Sequence, residues 1–236
     1  MISEVRFPAM PLLMKNGGFD FCIIDCEHGG FDYSDVAGML LVSRFCGMRM
    51  VIRLPDNSRA AITKFMDMGA GGLLLPMTGR AADVAEVVSF AKYYPEGKRG
   101  VSTVRAHTLY DGSGLGEKMK KANKDTVIYA QIETAEGLKN CSEIIAVPGV
   151  NGVLLGPNDF SAETGDIENP DPKKVFGAID TLAACAKKAG KSSGIITSNK
   201  DYLDRAKQKG MQILCVGSEL SMLISAAKRT VMDIRE

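Results

Sequence analysis

The stretch Gly149-Val-Asn-Gly-Val-Leu-Leu-Gly-Pro-Asn-Asp-Phe-Ser161 contains a glycine, a short apolar run and an acidic residue, in that order. The glycine fits a left-handed helix cap, and the apolar run is typical of a strand buried on both faces of a parallel sheet. Asp159 follows the end of that strand. Because the functional groups of α/β barrels come from the C-terminal ends of the strands, this stretch predicts both a fold and the position of a site.

The same arrangement recurs along the chain. A helical stretch, a glycine and an apolar run occur at Gly17–Asp25, Gly47–Arg53, Gly69–Pro76, Gly149–Gly156, Gly190–Thr197 and Gly210–Gly217. Adding Met1–Val5 and Val127–Glu133 gives eight strands that alternate with helices. That count is typical of a closed barrel rather than an open sheet. We therefore expect an α/β protein in which residues 1–236 form a single (β/α)8 TIM barrel domain.

Helical periodicity predicts the intervening helices, and Asp32, Asn57 and Thr134 are suitable N-caps for three of them. The predicted helices are Pro8–Lys15, Tyr33–Arg44, Ser58–Met68, Ala82–Tyr93, Ala135–Ile145, Pro172–Ala189, Asn199–Gln208 and Glu219–Arg229. Residues 95–125 form a long insertion between a helix and the next strand. Such an insertion usually covers a site or joins subunits, although a plain surface excursion fits nearly as well.

Composition narrows the range of partners. The 29 basic and 28 acidic residues nearly balance, and no basic run has interleaved aromatic residues. Binding to nucleic acid or to an anionic membrane therefore has no electrostatic support, and small molecules are the expected partners.

No apolar run approaches membrane-spanning length and the N-terminus does not resemble a leader, so we expect a cytoplasmic protein. The six cysteines lack paired spacing and are interpreted as reduced core residues.

Glu133 and Asp159 both stand at the downstream ends of predicted strands that are adjacent in the barrel. A carboxylate in such a place has lost much of its water and needs a compensating cation, and oxygen ligands suit Mg²⁺, Mn²⁺ or Co²⁺. Either residue alone fits helix capping equally well. Because two neighbouring capping acids would repel each other, the pair favours a divalent metal site.

Two further strand ends carry candidate catalytic groups. His28 follows Asp25 by three residues in a glycine-flanked loop, so a pair in which Asp25 orients the imidazole is feasible, and a structural histidine is the alternative. Arg53 closes an apolar run and therefore needs an anion. That anion is either a substrate or, in a structural salt bridge, Asp25 or Glu27.

Three other residues complete the set of candidates. Gln131 ends the same strand as Glu133, and Arg99 lies between glycines that would let the backbone approach a ligand, although a solvated loop arginine fits almost as well. His107, in the insertion, is more simply a surface residue. No predicted strand has a lysine at its C-terminal end, which argues against a Schiff-base aldolase and leaves carbonyl chemistry to a metal.

Several motifs together resemble the HpcH/HpaI class II aldolases, which include 2,4-dihydroxyhept-2-ene-1,7-dioate and 2-dehydro-3-deoxyglucarate aldolases. They are Ile24-Asp-Cys-Glu-His-Gly29, Val51-Ile-Arg-Leu-Pro55, Leu74-Leu-Pro-Met77, Gly97-Lys-Arg-Gly-Val101, Gln131-Ile-Glu133 and Gly156-Pro-Asn-Asp-Phe-Ser161. The resemblance implies a metal-dependent lyase that reversibly cleaves a 4-hydroxy-2-oxo acid to pyruvate and an aldehyde through a metal-bound enolate, often as a hexamer. A decarboxylase or bond-forming enzyme that resembles macrophomate synthase, or a non-catalytic oxo-acid-binding barrel, is an alternative.

The resemblance also implies residue roles. Glu133 and Asp159 would be the ligands of Mg²⁺, Mn²⁺ or Co²⁺, and Arg53 would stabilise the developing enolate oxygen. His28, oriented by Asp25, would transfer the proton of the aldol hydroxyl.

The substrate-binding residues implied in the same way are Gln131, which would hydrogen-bond the oxo acid, and the backbone around Asn158, which would receive its carboxylate. Arg99 is a weaker candidate for substrate binding. Asn158 stands where a small residue is common in the family, and this departure bears on substrate choice.

Overall fold

The structure is a computed structural model that describes residues 1–165, 168 and 171–235. In this part of the chain, seven parallel strands form one sheet in sequential order. The strands are β1 (Phe21–Asp25), β2 (Arg49–Arg53), β3 (Gly72–Leu75), β4 (Val127–Ile132), β5 (Gly152–Leu155), β6 (Ser192–Ile196) and β7 (Ile213–Cys215). Each strand pairs with its neighbours in sequence, which confirms the predicted α/β barrel class.

Eleven α-helices surround the sheet in the described residues. They are α1 (Met10–Asn16), α2 (Tyr33–Cys46), α3 (Arg59–Met68), α4 (Ala81–Ala91), α5 (Leu115–Asp125), α6 (Ala135–Lys139), α7 (Cys141–Ala146), α8 (Pro157–Glu163), α9 (Pro172–Ala189), α10 (Lys200–Gln208) and α11 (Glu219–Arg235). The predicted helices are all present, one of them divided into α6 and α7. Helices α5 and α8 were not predicted.

Two of the three predicted N-caps are confirmed. The side chains of Asp32 and Thr134 accept hydrogen bonds from backbone N–H groups in the first turns of α2 and α6. Helix α3 is capped instead by Ser58, whose hydroxyl accepts from the N–H of Ala61 at 3.2 Å, so the prediction of Asn57 was wrong by one residue.

The predicted first strand, Met1–Val5, is reduced to an isolated bridge between Ile2 and Ile24. Its remaining backbone N–H groups, at residues 3–5, donate to the carboxylate of Glu219 rather than to a neighbouring strand. Met1 accepts a hydrogen bond from the N–H of Glu219 at 3.1 Å. The N-terminal segment therefore spans the space between β1 and the chain that follows β7, and the barrel is nearly closed.

The barrel interior is filled by alternate residues of the strands, including Ile23, Val51, Leu74, Leu154 and Cys215. Because side chains alternate between the two faces of a strand, the residues two positions after Ile23 and Val51 also point inward. Those residues are Asp25 and Arg53, at the C-terminal ends of β1 and β2. The alternation of side chains along the strands therefore directs these two polar side chains towards the mouth of the barrel.

Helix α11 projects from the barrel. Within its described residues only Glu219 is buried, and Leu223, Ile224, Met232 and Ile234 are exposed. The hexamer implied by the resemblance stays a prediction.

No helix among the described residues is long and apolar enough to cross a membrane.

Candidate active site

Asp25 and Arg53 face each other at the ends of β1 and β2, where they are register partners. Arg53 donates from Nε to Oδ1 of Asp25 at 2.9 Å and from Nη2 to Oδ2 at 2.5 Å. Burial alone would raise the pKa of Asp25, but the hydrogen bonds and charge of Arg53 outweigh it and hold this pKa below its ordinary value. Arg53 is therefore a charged group in a fixed orientation.

Asp25 is directed at Arg53 rather than at the imidazole of His28, which corrects the predicted Asp25–His28 pair. Oδ1 of Asp25 also accepts from the backbone N–H groups of Glu27 and His28, at 3.1 and 3.2 Å. The carboxylate beside the imidazole is that of Glu27, whose Oε2 lies 3.8 Å from Nε2 of His28. The His28 side chain is 68% exposed. Asp25 thus shapes the loop that carries His28, and Glu27 neighbours the ring.

Glu27 is the residue that links His28 to Arg53. Its Oε2 lies 3.1 Å from Nη1 of Arg53, as an ion-pair contact, and no atom in the described part of the chain forms a hydrogen bond with this oxygen. Burial raises the pKa of Glu27, and the charges of Asp25 and Asp159 raise it further against the opposing effects of Arg53 and His28. An additional positive charge at this mouth would stabilise Glu27 as a carboxylate.

Glu133 follows β4 directly and is 1% exposed. Its Oε1 accepts from the N–H of Met77 at 2.7 Å, and its Oε2 accepts from Nε2 of Gln131 at 2.6 Å. A Cβ at Gly156, at the end of neighbouring β5, would lie 2.3 Å from Oε2. Glycine is therefore required there, because no larger residue leaves room for the Glu133 carboxylate.

Asp159 lies in the first turn of α8, directly after β5, and is exposed, as is Asn158 beside it. Burial raises the pKa of Glu133 to about 7, with contributions from the charges of Asp159 and Glu27. Glu27, Glu133 and Asp159 follow the C-terminal ends of β1, β4 and β5, and the Glu133 carboxylate lies against Gly156 at the end of β5, so the three carboxyl groups share one mouth. The structure thus brings Glu133 and Asp159 together with Arg53 and Gln131.

The chemistry of this donor set fits a divalent cation. Among the described residues, no group of three or more His, Cys, Asp or Glu side chains is arranged to hold a metal ion by itself. Glu133 and Asp159 would leave most positions of a hard cation to water or substrate oxygens, as Mg²⁺ commonly requires. Oε1 of Gln131 is buried and lacks a hydrogen-bond partner within the described residues, so an acceptor stands ready for a ligand donor or water.

Arg99 does not lie at this mouth, which corrects its prediction as a substrate-binding residue. Its Nη2 donates to Oδ1 of Asp67 at 2.7 Å, and its guanidinium lies 4.5 Å from the ring centre of Tyr93. Asp67 is at the end of α3, which leads into the N-terminal end of β3, so Arg99 is at the opposite end of the barrel from Glu133. His107, predicted on the surface, lies there too and is only 11% exposed.

Two contributors to the mouth were missed as site residues by the sequence analysis. Glu27 was considered only as a salt-bridge partner, although its position two residues after Asp25 is a signal that it turns to the same side. The N–H of Met77 has no side-chain signature, and its left-handed backbone, with φ of 47°, is unusual outside glycine and could not be foreseen.

A family model described as HpcH/HpaI aldolase/citrate lyase matches residues 7–226. The chain is 32% identical over 212 residues to a 5-keto-4-deoxy-D-glucarate aldolase of Klebsiella pneumoniae, a match that covers 90% of this chain and 82% of the relative. It is 33% identical over 216 residues to a hydroxypyruvate/pyruvate aldolase of Pseudomonas aeruginosa, covering 92% and 80% of the two chains. The solved structure of an HpcH/HpaI aldolase from Desulfitobacterium hafniense matches with a TM-score of 0.92 and 28% identity, covering 100% of this chain and 91% of that one.

Proposed function

Because this chain belongs to the HpcH/HpaI aldolase/citrate lyase family, we propose that it is a divalent-metal-dependent carbon–carbon lyase that cleaves a 4-hydroxy-2-oxo acid to pyruvate and an aldehyde. The observation that carries this proposal is the position of Arg53, Glu133 and Asp159 at the C-terminal ends of β2, β4 and β5 in one barrel. It combines two carboxylates suited to a cation with a fixed guanidinium. Both features stabilise negative charge that develops on a carbonyl oxygen.

Glu133 and Asp159 would hold the cation, which when bound withdraws electrons from the carbonyl of the oxo acid. The N–H of Met77 and the amide of Gln131 fix the Glu133 carboxylate, and the bare Cα of Gly156 gives it room. Mg²⁺, Mn²⁺ and Co²⁺ all suit this oxygen donor set.

Arg53 provides a positive charge where the substrate becomes an enolate. Its orientation is fixed by the two hydrogen bonds that it donates to Asp25, so no reorganisation is needed when charge develops. The neutral ketone in the ground state gains less from this charge than the enolate does. The interaction therefore lowers the barrier rather than only tightening binding.

His28 is the group placed to take the proton of the aldol hydroxyl. When the C3–C4 bond breaks, its electron pair enters the enolate while the C4 hydroxyl loses its proton to the imidazole and becomes the aldehyde. Proton return to C3 completes pyruvate. Glu27, 3.8 Å from Nε2, stabilises the imidazolium that forms between these two events.

Gln131 and the backbone around Asn158 are the groups available to the oxo-acid end of the substrate. Oε1 of Gln131 lacks a partner among the described residues and can only accept a hydrogen bond, so it would reach the carboxylate or ketone oxygen of the oxo acid through a bridging water. Asn158 is exposed at the start of α8. The aldehyde would then extend outward past His28, whose exposed ring borders solvent. Recognition of the aldehyde would then fall at the rim of the mouth.

A cleavage assay tests the function. Full-length protein is given 4-hydroxy-2-oxopentanoate, and pyruvate release is followed with lactate dehydrogenase, with and without EDTA. Activity should fall by ~10²-fold or more with chelator and return with Mg²⁺, Mn²⁺ or Co²⁺. Borohydride together with pyruvate should leave the enzyme active. Cleavage that resists EDTA but is lost to borohydride, with label on a lysine, would contradict the proposal.

Metal-binding measurements test the assigned ligands separately. Glu133→Gln and Asp159→Asn should each weaken Mn²⁺ binding, measured by calorimetry, because each removes a formal charge from a small carboxylate shell. Asp233→Asn, on the exposed face of α11, is the matched control and should bind Mn²⁺ as the wild type does. Wild-type affinity in both site variants would place the ion elsewhere.

A further inference from the structure

A cavity of about 310 Å³ lies at the N-terminal end of the barrel, opposite the proposed active site. The end of α2, the turn before β3 and the segment 95–125 form its walls. Met66, Leu115 and Met119 contribute an apolar part of the lining. The insertion recognised in the sequence is thus a wall of this cavity, with α5 along one side.

The charged groups of the cavity wall are mostly paired. Arg99 contacts Asp67 and Lys118 contacts Asp111, both at 2.7 Å, and Lys121 pairs with Asp125. Each of these cations therefore has its own carboxylate.

Arg44 is different. It lines the cavity from the end of α2, and no carboxylate or hydrogen-bond acceptor contacts it within the part of the chain that the structure describes. Arg44 is exposed as a whole residue, but partial burial of its guanidinium lowers its pKa, and no acidic group among the described residues offsets this effect. One positive charge thus stands at the cavity without a counter-ion.

His107 lies beside this unpaired charge. Its Nδ1 lies 3.3 Å from the backbone oxygen of Asp67, so Nδ1 carries the proton, and Nε2 accepts from the hydroxyl of Tyr93 at 3.2 Å. Burial lowers the pKa of His107, and the charges of Arg99 and Arg44 lower it further against the opposing effect of Asp67. The imidazole is therefore neutral, and its pKa responds to the positive charges around the cavity.

Arg99 also lines the cavity and adds to its positive potential. Its side chain is 1% exposed, and its Nε has no hydrogen-bond partner among the described residues. Beside its ion pair with Asp67, the guanidinium therefore keeps one buried N–H group without a partner at the cavity.

We propose that this cavity binds a small organic anion, a carboxylate or a phosphate ester, with its charged end between Arg44 and His107 and its apolar part against Leu115 and Met119. The unpaired positive charge of Arg44 indicates that the ligand is an anion. The apolar part of the lining indicates that this anion carries an organic group. Ligand pockets commonly start at ~300 Å³, so this volume suits a molecule of a few carbons. The site is separate from the proposed active site and does not depend on the proposed reaction.

The two histidines of the chain make the test direct, because His107 reports on the cavity and His28 on the barrel mouth. The full-length protein is titrated with pH by NMR of the imidazole protons in the presence of butyrate, inorganic phosphate or uncharged butyramide. An anion beside His107 should raise its pKa by about one unit, saturably, and leave His28 unchanged. Butyramide should have no effect. A shift with butyrate or with phosphate supports the site, and the more effective of the two identifies the preferred head group.

Variants locate the binding. Arg44→Met removes the charge but keeps the length of an exposed side chain, and should weaken the effective anion by about tenfold or more. Arg229→Met, an exposed arginine on α11, is the control and should bind as the wild type does. Ala122→Phe, which fills the cavity from α5, should abolish the response of His107.

Three results would overturn the proposal: no shift of His107 with either anion, the same shift with butyramide, or unchanged affinity in Arg44→Met. Because no turnover is measured, each result is independent of whether the barrel mouth cleaves oxo acids.

Discussion

Asp25 holds Arg53 by two hydrogen bonds, 2.9 and 2.5 Å long, that join the last residues of β1 and β2. The pair formed by Asp180 and Arg205 has the same two distances. The pairs differ in burial, since the side chains are 7% and 4% exposed in the first pair and 34% and 33% in the second. The chain thus contains a matched comparison between a buried and a half-exposed ion pair.

Asp25→Asn should lower the free energy of unfolding by about 3 kcal/mol, because it removes the charged bidentate partner of a buried guanidinium and leaves Glu27 as its ion-pair contact among the described residues. Asp180→Asn should cost ~1 kcal/mol or less, since water compensates a half-exposed arginine. Urea unfolding of both variants measures the difference. Equal losses would mean that the mouth tolerates an unpaired Arg53.

A second prediction separates the roles of His28 and Arg53. His28→Ala should reduce aldol cleavage by ~10²–10⁴-fold but keep exchange of the methyl protons of pyruvate, because exchange passes through the enolate without deprotonating an aldol hydroxyl. Arg53→Lys should impair both reactions, since lysine keeps the charge but loses the bidentate bond to Asp25.

Solvent exchange followed by NMR, beside the cleavage rate, decides this assignment. Thermal unfolding of each variant serves as the control for folding. Near-normal cleavage in His28→Ala would return His28 to the role of a structural histidine.

Sequence reasoning located the strand ends well because their signal is local. The apolar run before Asp25 predicts a buried strand, and the side-chain alternation of that strand decides which way Asp25 points. The partner of Asp25 is a property of register, however, since Arg53 lies 28 residues away and meets it only because β1 and β2 pair residue for residue. The sequence left both His28 and Arg53 open as partners of Asp25, and the register selects Arg53.

Arg99 shows a second limit of prediction from local sequence patterns. Glycines beside an arginine indicate a loop that can approach a ligand, but they carry no information on the end of the barrel at which the loop lies. The predicted first strand, Met1–Val5, was wrong for another reason. The N–H groups of residues 3–5 found a carboxylate acceptor in Glu219, a contact across 214 to 216 residues that no local pattern encodes.

Gly156→Ala should disable the site while the barrel stays folded. The new Cβ would lie 2.3 Å from Oε2 of Glu133 and 2.9 Å from Nε2 of Gln131, so the carboxylate must move from its position. Both the Mn²⁺ affinity and the cleavage rate should fall by about tenfold or more. Moving a metal ligand out of position should reduce metal binding about as much as losing a group that orients that ligand. The control is Gly177→Ala inside α9, where a Cβ meets no atom within 4 Å.

Gly177→Ala should leave activity unchanged and raise the melting temperature, since alanine stabilises a helix interior by about 1 kcal/mol relative to glycine. Full activity in Gly156→Ala would show that the Glu133 carboxylate is free to shift without loss of function.

The carboxylate of Glu219 accepts the backbone N–H groups of Ser3, Glu4 and Val5 at 2.8, 2.7 and 3.2 Å, and it is 4% exposed. Burial alone would raise its pKa, but these hydrogen bonds outweigh burial and hold the pKa below its ordinary value of 4.5. A lowered pKa in the folded state means that the stabilisation is fully present above the unfolded-state value and is lost as the pH falls through the folded-state value.

Glu219→Gln should therefore destabilise the protein by about 1–2 kcal/mol at pH 7, because charge-assisted hydrogen bonds become neutral ones. The difference from wild type should persist down to the unfolded-state pKa of ~4.3 and shrink below it, as the wild-type carboxylate itself becomes protonated. Urea unfolding at a series of pH values measures this difference. Glu117→Gln, at an exposed position of α5, is the control and should show no such pH dependence. A difference that stays constant as the pH falls would mean that Glu219 closes the barrel by packing rather than by its charge.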